Sequence, residues 1–312
     1  METHGDLHVQ NRATLGIIYL CLGILVFSLQ DAIIKAVSGS YPLTQVVSIR
    51  CLVSAPILLT FVHFESGLKS LAARDMGSLM GRSFLMLMAY TTYYMAFPAL
   101  PLADAVALYF TVPLFALALA VPMLGETIGW RRISAVVIGF IGVVVMLRPG
   151  AGLFEPAALL SLFSALTYAT AMLIARRIGT TTTASVMAFY QNAIYLLGAL
   201  TMAGFFHLTG IQQASHKSLE FLVRPWIWPD STDLLLIGSC GIIAAFGMTL
   251  LTQAYRIAKA SIVTSFEYTG MLWAPLWGFL FFGEIPYLTT LAGAGLIIAA
   301  GLFALSSPAR DA

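Results

Sequence analysis

Four ionisable side chains stand inside stretches too apolar for water to solvate them: Asp31, Arg50, Asp104 and Glu267. A charge in hydrocarbon costs about 2.5–3.5 kcal/mol on insertion scales, so each needs a partner or a task. Asp31 falls about six residues before the end of the first apolar stretch and Arg50 about seven after the start of the second, which at about 1.5 Å per residue puts both about 10 Å deep. Two readings follow. Either they form a static ion pair that locks a helical hairpin, since a stranded buried charge costs several kcal/mol, or Arg50 offers its planar fork to a carboxylate, imide or phosphate of a solute, with Asp31 as the competing partner. Asp104 opens its stretch, where a carboxylate caps the first helical turn. Glu267 lies deeper and is followed by Tyr268. Gln191 and Asn192 fall at a similar depth, so an inner polar layer of Glu267, Gln191 and Asn192 is expected to mirror the layer of Asp31 and Arg50. A carboxyl group in such a setting, Glu267 or Asp31, is a candidate proton carrier and coupling or gating residue.

Polar and aromatic side chains fill in around these charges. Gln30, Gln45 and Ser48 fall where they could complete the layer of Asp31 and Arg50. Among the mid-stretch rings, Tyr109, Tyr268 and Trp273 are the ones expected to face a cavity, stacking a flat ring or holding a cation. The candidate binding set is therefore Arg50, Tyr109, Gln191, Asn192, Glu267, Tyr268 and Trp273.

The elements that must position these residues follow from composition. The chain has 312 residues, 59% apolar and only 10% charged, whereas soluble domains carry about 25% charge. Lipid is the missing solvent, and the net charge of +2 leaves no nucleic-acid footprint. Ten windows are long and apolar enough to cross a bilayer, near 15–37, 43–63, 77–98, 103–123, 130–148, 155–175, 184–208, 232–255, 261–282 and 287–306. The expected fold is all-α. With both termini in the cytoplasm, eleven basic residues fall inside and four (Lys35, Arg148, Lys217, Arg224) outside, as the positive-inside rule asks.

Other chemistries find little support. Cys21, Cys51 and Cys240 lie singly in apolar stretches, with no metal-ligand spacing. No GxSxG, HExxH, Walker or GxGxxG motif is present, and the five histidines sit in the tail, at stretch ends or in a loop. Neither an enzyme nor a cofactor is expected. A receptor or assembly subunit is the alternative from another class.

The sequence repeats itself. A shift of 158 lays Leu124-Gly125-Glu126 on Phe282-Gly283-Glu284, and a shift of 141 in the earlier part of each half pairs Lys35 with Arg176 and Arg50 with Gln191. Two units follow, residues 1–150 and 151–312. Five spans per unit is an odd number, so the second must enter the membrane inverted, an arrangement recurrent in secondary transporters. Ala135xxxGly139 and Gly295xxxAla299 are small-xxx-small motifs that fit in-chain packing and homodimerisation equally.

The run Leu100-Pro101-Leu102-Ala103-Asp104-Ala105 leading to Gly125-Glu126, then Trp130-Arg131-Arg132, and Gly139-Phe140-Ile141-Gly142 through Arg148-Pro149-Gly150 resemble the EamA branch of the drug/metabolite transporter superfamily. Within it, Asp31-Ala32-Ile33-Ile34-Lys35, Tyr41-Pro42, Arg50 and Phe266-Glu267-Tyr268 are similar to riboflavin and S-adenosylmethionine uptake carriers. The resemblance implies a bacterial inner-membrane carrier for a small organic metabolite, driven by protons or by exchange. Export of amino acids or drug-like cations is the alternative.

Overall fold

The computed structural model describes residues 4–72, 75–124, 130–147, 155–178, 182–257, 266 and 269–306. Every long element is helical: α1 (His4–Val37), α2 (Leu43–Ser66), α3 (Met76–Ala96), α4 (Leu102–Tyr109), α5 (Val112–Leu124), α6 (Trp130–Leu147), α7 (Ala157–Ile178), α8 (Ala184–Thr209), α9 (Lys217–Val223), α10 (Ser231–Ile257), α11 (Gly270–Phe282) and α12 (Leu288–Ser306). Helices close their backbone hydrogen bonds internally, which hydrocarbon demands. Among the described residues, five are long and apolar enough to cross a membrane, within α1, α2, α7, α8 and α10, and shorter apolar helices run at Val136–Leu147, Gly270–Phe282 and Leu288–Phe303. Helix α3 is not one of the five. It carries Arg82 and three tyrosines, and those polar groups turn inward.

Punctuation follows the residues that cannot continue a helix. Pro42 and Pro101 precede α2 and α4 with extended ψ of 148° and 143°. Between α4 and α5 the helix breaks at Phe110-Thr111, because Pro113 has no N–H to offer the carbonyl of Tyr109. Beside the break, the Thr111 hydroxyl donates to the carbonyl of Leu108 at 2.7 Å. Gly283 ends α11 at φ +63°, a conformation open to glycine, and its N–H returns to the last turn.

The helix bounds repeat as the sequence does. Helix α11 begins and ends 158 residues after α5, α12 begins 158 after α6, and α8 begins 141 after α2. The bond of Thr111 recurs too, with the Thr269 hydroxyl donating to the carbonyl of Phe266 at 2.7 Å. Helix α1 finishes beside Leu100 and Glu284, whereas its counterpart α7 starts at that same end, where Glu155 meets His216 next to α9.

Contacts interlock the two sets. Helix α1 packs on α10 and α11, α2 on α8 and α10, α3 on α7 and α8, and α6 on α12. Helices α6 and α12 touch backbone to backbone at Gly142 and Gly293, where an added Cβ would lie 2.7 Å from the Gly293 carbonyl oxygen or 2.6 Å from that of Gly142. Of the two small-residue motifs, Gly139 packs under Leu114 within the chain, and nothing comes within 4 Å of a Cβ placed on Gly295. Large apolar side chains such as Leu52, Phe64, Val144, Leu235 and Phe279 point outward, while Arg50, Arg82, Gln191 and Asn192 are buried. That inside-out distribution suits a chain whose solvent is lipid.

Candidate functional site

A patch of tyrosines forms the polar centre of the bundle. On α3, Arg82, Met86, Tyr90 and Tyr94 recur every four residues, with Tyr93 beside the last, so they share one helix face. The Tyr90 ring lies 5.8 Å from Tyr94, 5.6 Å from Tyr195 of α8 and 6.2 Å from Tyr168 of α7. Tyr109, at the break between α4 and α5, closes the set at 4.7 Å from Tyr93 and 5.5 Å from Tyr168. Four helices thus contribute rings to one cluster.

Arg50 enters this cluster from α2. It is 3% exposed, its guanidinium lies 5.7 Å from the centre of the Tyr195 ring, and its Nε and Nη1 have no hydrogen-bond partner among the described residues. Helix α10 lies close against it, since a Cβ on Gly241 would fall 2.5 Å from the Arg50 carbonyl oxygen. Asp31 approaches from α1, accepting from the Tyr93 hydroxyl at 2.9 Å. Among the described residues, ion pairs form at Lys35–Glu284, His216–Glu155 and Arg224–Glu220, and none joins Asp31 to Arg50. The two charges face the same rings and interact across them without touching. A buried guanidinium whose N–H groups lack acceptors has forfeited hydration without replacing it, and an anionic guest would restore what was lost.

The remaining expected residues divide. Tyr109 joins the cluster. Gln191 accepts from Arg82 Nη1 at 3.3 Å. Asn192 is spent between α8 and α2, its Oδ1 accepting from Ser54 at 2.6 Å and its Nδ2 donating to the Cys51 carbonyl at 3.0 Å. Trp273 stacks on Trp277 at 6.0 Å, and Trp277 continues to Phe281 at 5.6 Å, a ladder along α11 apart from the tyrosines. Glu267 and Tyr268 lie outside the described residues, as does Gly125-Glu126. Gln30 donates to the Tyr94 hydroxyl at 2.8 Å, while Gln45 is engaged elsewhere, clasping the backbone of Ile227.

Asp104 accepts from Thr290 at 2.6 Å, a bond that ties α4 to α12. Beside it, Lys35 meets Glu284 at 2.7 Å and donates to the Leu100 carbonyl at 2.6 Å, and the second oxygen of Glu284 accepts from the Leu102 N–H at 2.9 Å. Lys35, Leu100 and Glu284 line a cavity of about 610 Å³, with Lys217 and Glu220 of α9 also on its wall.

With this geometry in place, the chain can be set beside known proteins. The EamA-like transporter family matches residues 14–148 and 155–306. The chain belongs to the EamA-like transporter family. Its relatives include an S-adenosylmethionine uptake transporter of Rickettsia prowazekii, 27% identical over 95% of this chain and 94% of that protein. A pseudopaline exporter, CntI, of Pseudomonas aeruginosa is 25% identical over 91% of this chain and 94% of its own. A riboflavin transporter of Vibrio cholerae is 25% identical over 93% and 92%. A solved crystal structure superposes with TM-score 0.63 over 95% of this chain and 96% of that one, at 16% identity, and shares the fold. This EamA-family protein is thus a helical membrane transporter, and its relatives include carriers named for uptake and for export.

Tyr90, Tyr168, Tyr195 and Arg82 were not singled out by sequence reasoning. The four-residue spacing on α3 was the available signal for Tyr90 and Arg82. Arg82 was counted instead with the basic residues that mark the cytoplasmic side.

Proposed function

We propose that the protein is a secondary transporter that carries a small organic metabolite across a bacterial inner membrane by alternating access, through the tyrosine-lined centre. Its halves, residues 1–150 and 151–312, rock as inverted five-helix units with both termini in the cytoplasm, and the offsets of 158 and 141 between helix bounds support this. The observation that carries the substrate reading is Arg50, buried with two nitrogens unpartnered. Such a group suits a carboxylate, imide or phosphate. Asp31 and the neighbouring tyrosine faces supply the opposite pole, fitted to a cationic centre. A solute bearing both charges satisfies both poles, so an S-adenosylmethionine-like molecule, with its carboxylate and sulfonium, is favoured over riboflavin. The tyrosine faces support riboflavin as the second reading.

The test is counterflow in proteoliposomes loaded with unlabelled solute, offering labelled S-adenosylmethionine and riboflavin separately, with and without a proton gradient. Accumulation of S-adenosylmethionine is expected. An Asp31→Asn variant that keeps exchange yet loses gradient-driven uptake would mark Asp31 as the coupling group. Accumulation of riboflavin alone would move the assignment to the second reading, and silence for both would turn it to amino acids and drug-like cations. Loss of all solute movement in every assay would favour a receptor or assembly role.

A further inference from the structure

A second guanidinium stands in the same interior. Arg82 of α3 is 6% exposed and its Nε has no hydrogen-bond partner among the described residues. Its described hydrogen bond is to the neutral amide oxygen of Gln191 at 3.3 Å, which accepts a proton without balancing a charge. Arg82 and Arg50 share neighbours, since both act electrostatically on Tyr90 and on Tyr195. They enter from opposite ends. Arg50 lies seven residues into α2, which starts at the α9 end, and Arg82 lies six residues into α3, which starts at the far end. Along α3, Arg82 precedes Tyr90 by two turns, about 12 Å of rise. Two buried cations, each with a nitrogen unpartnered among the described residues, therefore stand at different levels of the bundle, both near the Tyr90 and Tyr195 rings, which lie 5.6 Å apart.

Basic residues at the end of a spanning helix ordinarily reach into the headgroup region and stay solvated. Arg82 does not. Its charge is held in the bundle, and a chain that tolerates two such cations beside one described carboxylate needs an anion to visit them. We propose that Arg82 is a second anion-receiving side chain, and that the anionic group of the transported solute passes from Arg50 to Arg82 in crossing from the α9 end to the far end. The proposal rests on the carrier reading, and it adds that the solute must bear a carboxylate or phosphate, with Gln191 as the residue that positions the waiting guanidinium.

The experiment separates the site from the carrier. Purified protein in nanodiscs is melted with matched pairs that differ by one anionic group: S-adenosylmethionine against its decarboxylated form, and riboflavin 5′-phosphate against riboflavin. The anionic member of at least one pair is expected to raise Tm more, Arg82→Gln to shrink that difference, and Arg82→Lys to restore part of it. In proteoliposomes, Arg82→Gln should raise KM about tenfold from the far side and leave it near wild type from the α9 side, whereas Arg50→Gln raises it from both. Equal effects of the two members in both pairs, including none at all, overturn the proposal. So does an Arg82→Gln variant with lowered basal Tm and an undiminished ligand difference, which is the signature of a purely structural arginine. If Arg82→Gln fails to insert, the far-side KM of Arg82→Lys decides: a rise supports the proposal and a wild-type value overturns it. A ligand difference that depends on Arg82 without any solute movement retains the anion site and removes the carrier.

Discussion

The α9 end of the bundle and its centre solve the same problem in opposite ways. At the α9 end each buried or half-buried charge is met. Lys35 has Glu284 and the Leu100 carbonyl, Glu284 also holds the Leu102 N–H, Asp104 takes Thr290, and Arg224 spans Glu220 and the Ser38 carbonyl. In the centre, Arg50 and Arg82 are more deeply buried and less satisfied. Burying a polar group is tolerable when it is hydrogen-bonded and costly when it is not. A fold that completes its polar contacts at one end and leaves them incomplete in the middle separates what holds the helices together from what a solute must complete.

The strongest way to break this contrast is Arg50→Gln. If the centre waits for an anion, the variant inserts and melts within about 1 kcal/mol of wild type, because the charge-dependent contact described for it is the weak one with the Tyr195 ring, while exchange falls about a hundredfold or more. Counterflow and melting on the same preparation check both halves. Normal flux would remove Arg50 from the site, and loss of folding would make it a structural residue like those at the α9 end.

The Lys35–Glu284 pair should behave in the opposite manner. Its side chains are 10% and 25% exposed, so removing one strands the other in a poorly hydrated place. Lys35→Met and Glu284→Gln should each lower Tm, and the double variant should lose less than the sum, with a coupling of about 1–3 kcal/mol. Additive losses would mean that the two charges do not depend on each other. Glu284→Gln should be the milder single change, since an amide oxygen can still accept from the Leu102 N–H.

How far the sequence foretells these two regions differs for a physical reason. Helix positions are legible because they depend on hydrophobic length and helical rise, which are local. The break after Tyr109 is missed: 103–123 reads as one apolar span, although Pro113, which removes a specific donor, carries the signal. Partnerships across helices are not local. Nothing in the spacing of Asn192 says that Ser54 and Cys51 will occupy its amide, and Glu284 reads as the end of a helix until α1 brings Lys35 to it. Arg82 is the sharpest instance: counted by position it marks a membrane face, and only the packing of α3 against α7 and α8 carries it into the interior beside Tyr90, Tyr168 and Tyr195.

Gln45 offers the smallest test and the most discriminating one. By depth it belongs with Asp31 and Arg50, but its amide is closed on the loop after α9, donating to the Ile227 carbonyl at 2.6 Å and accepting from the Ile227 N–H at 3.2 Å. Gln45→Ala frees that loop at one point only, because Trp226 Nε1 still donates to Thr44 at 2.9 Å and Arg224 to the Ser38 carbonyl at 3.2 Å. Water can replace the lost bonds at a partly exposed backbone, so the cost should stay near 1 kcal/mol. The expected readout is faster hydrogen exchange of the Ile227 amide and earlier proteolytic cutting of the loop, with KM for the transported solute unchanged. A KM that rises as it does for Arg50→Gln would mean that Gln45 leaves Ile227 to meet the solute. The clasp would then be a competitor for binding, and the boundary between the satisfied end and the waiting centre would run through α2 between Gln45 and Thr44.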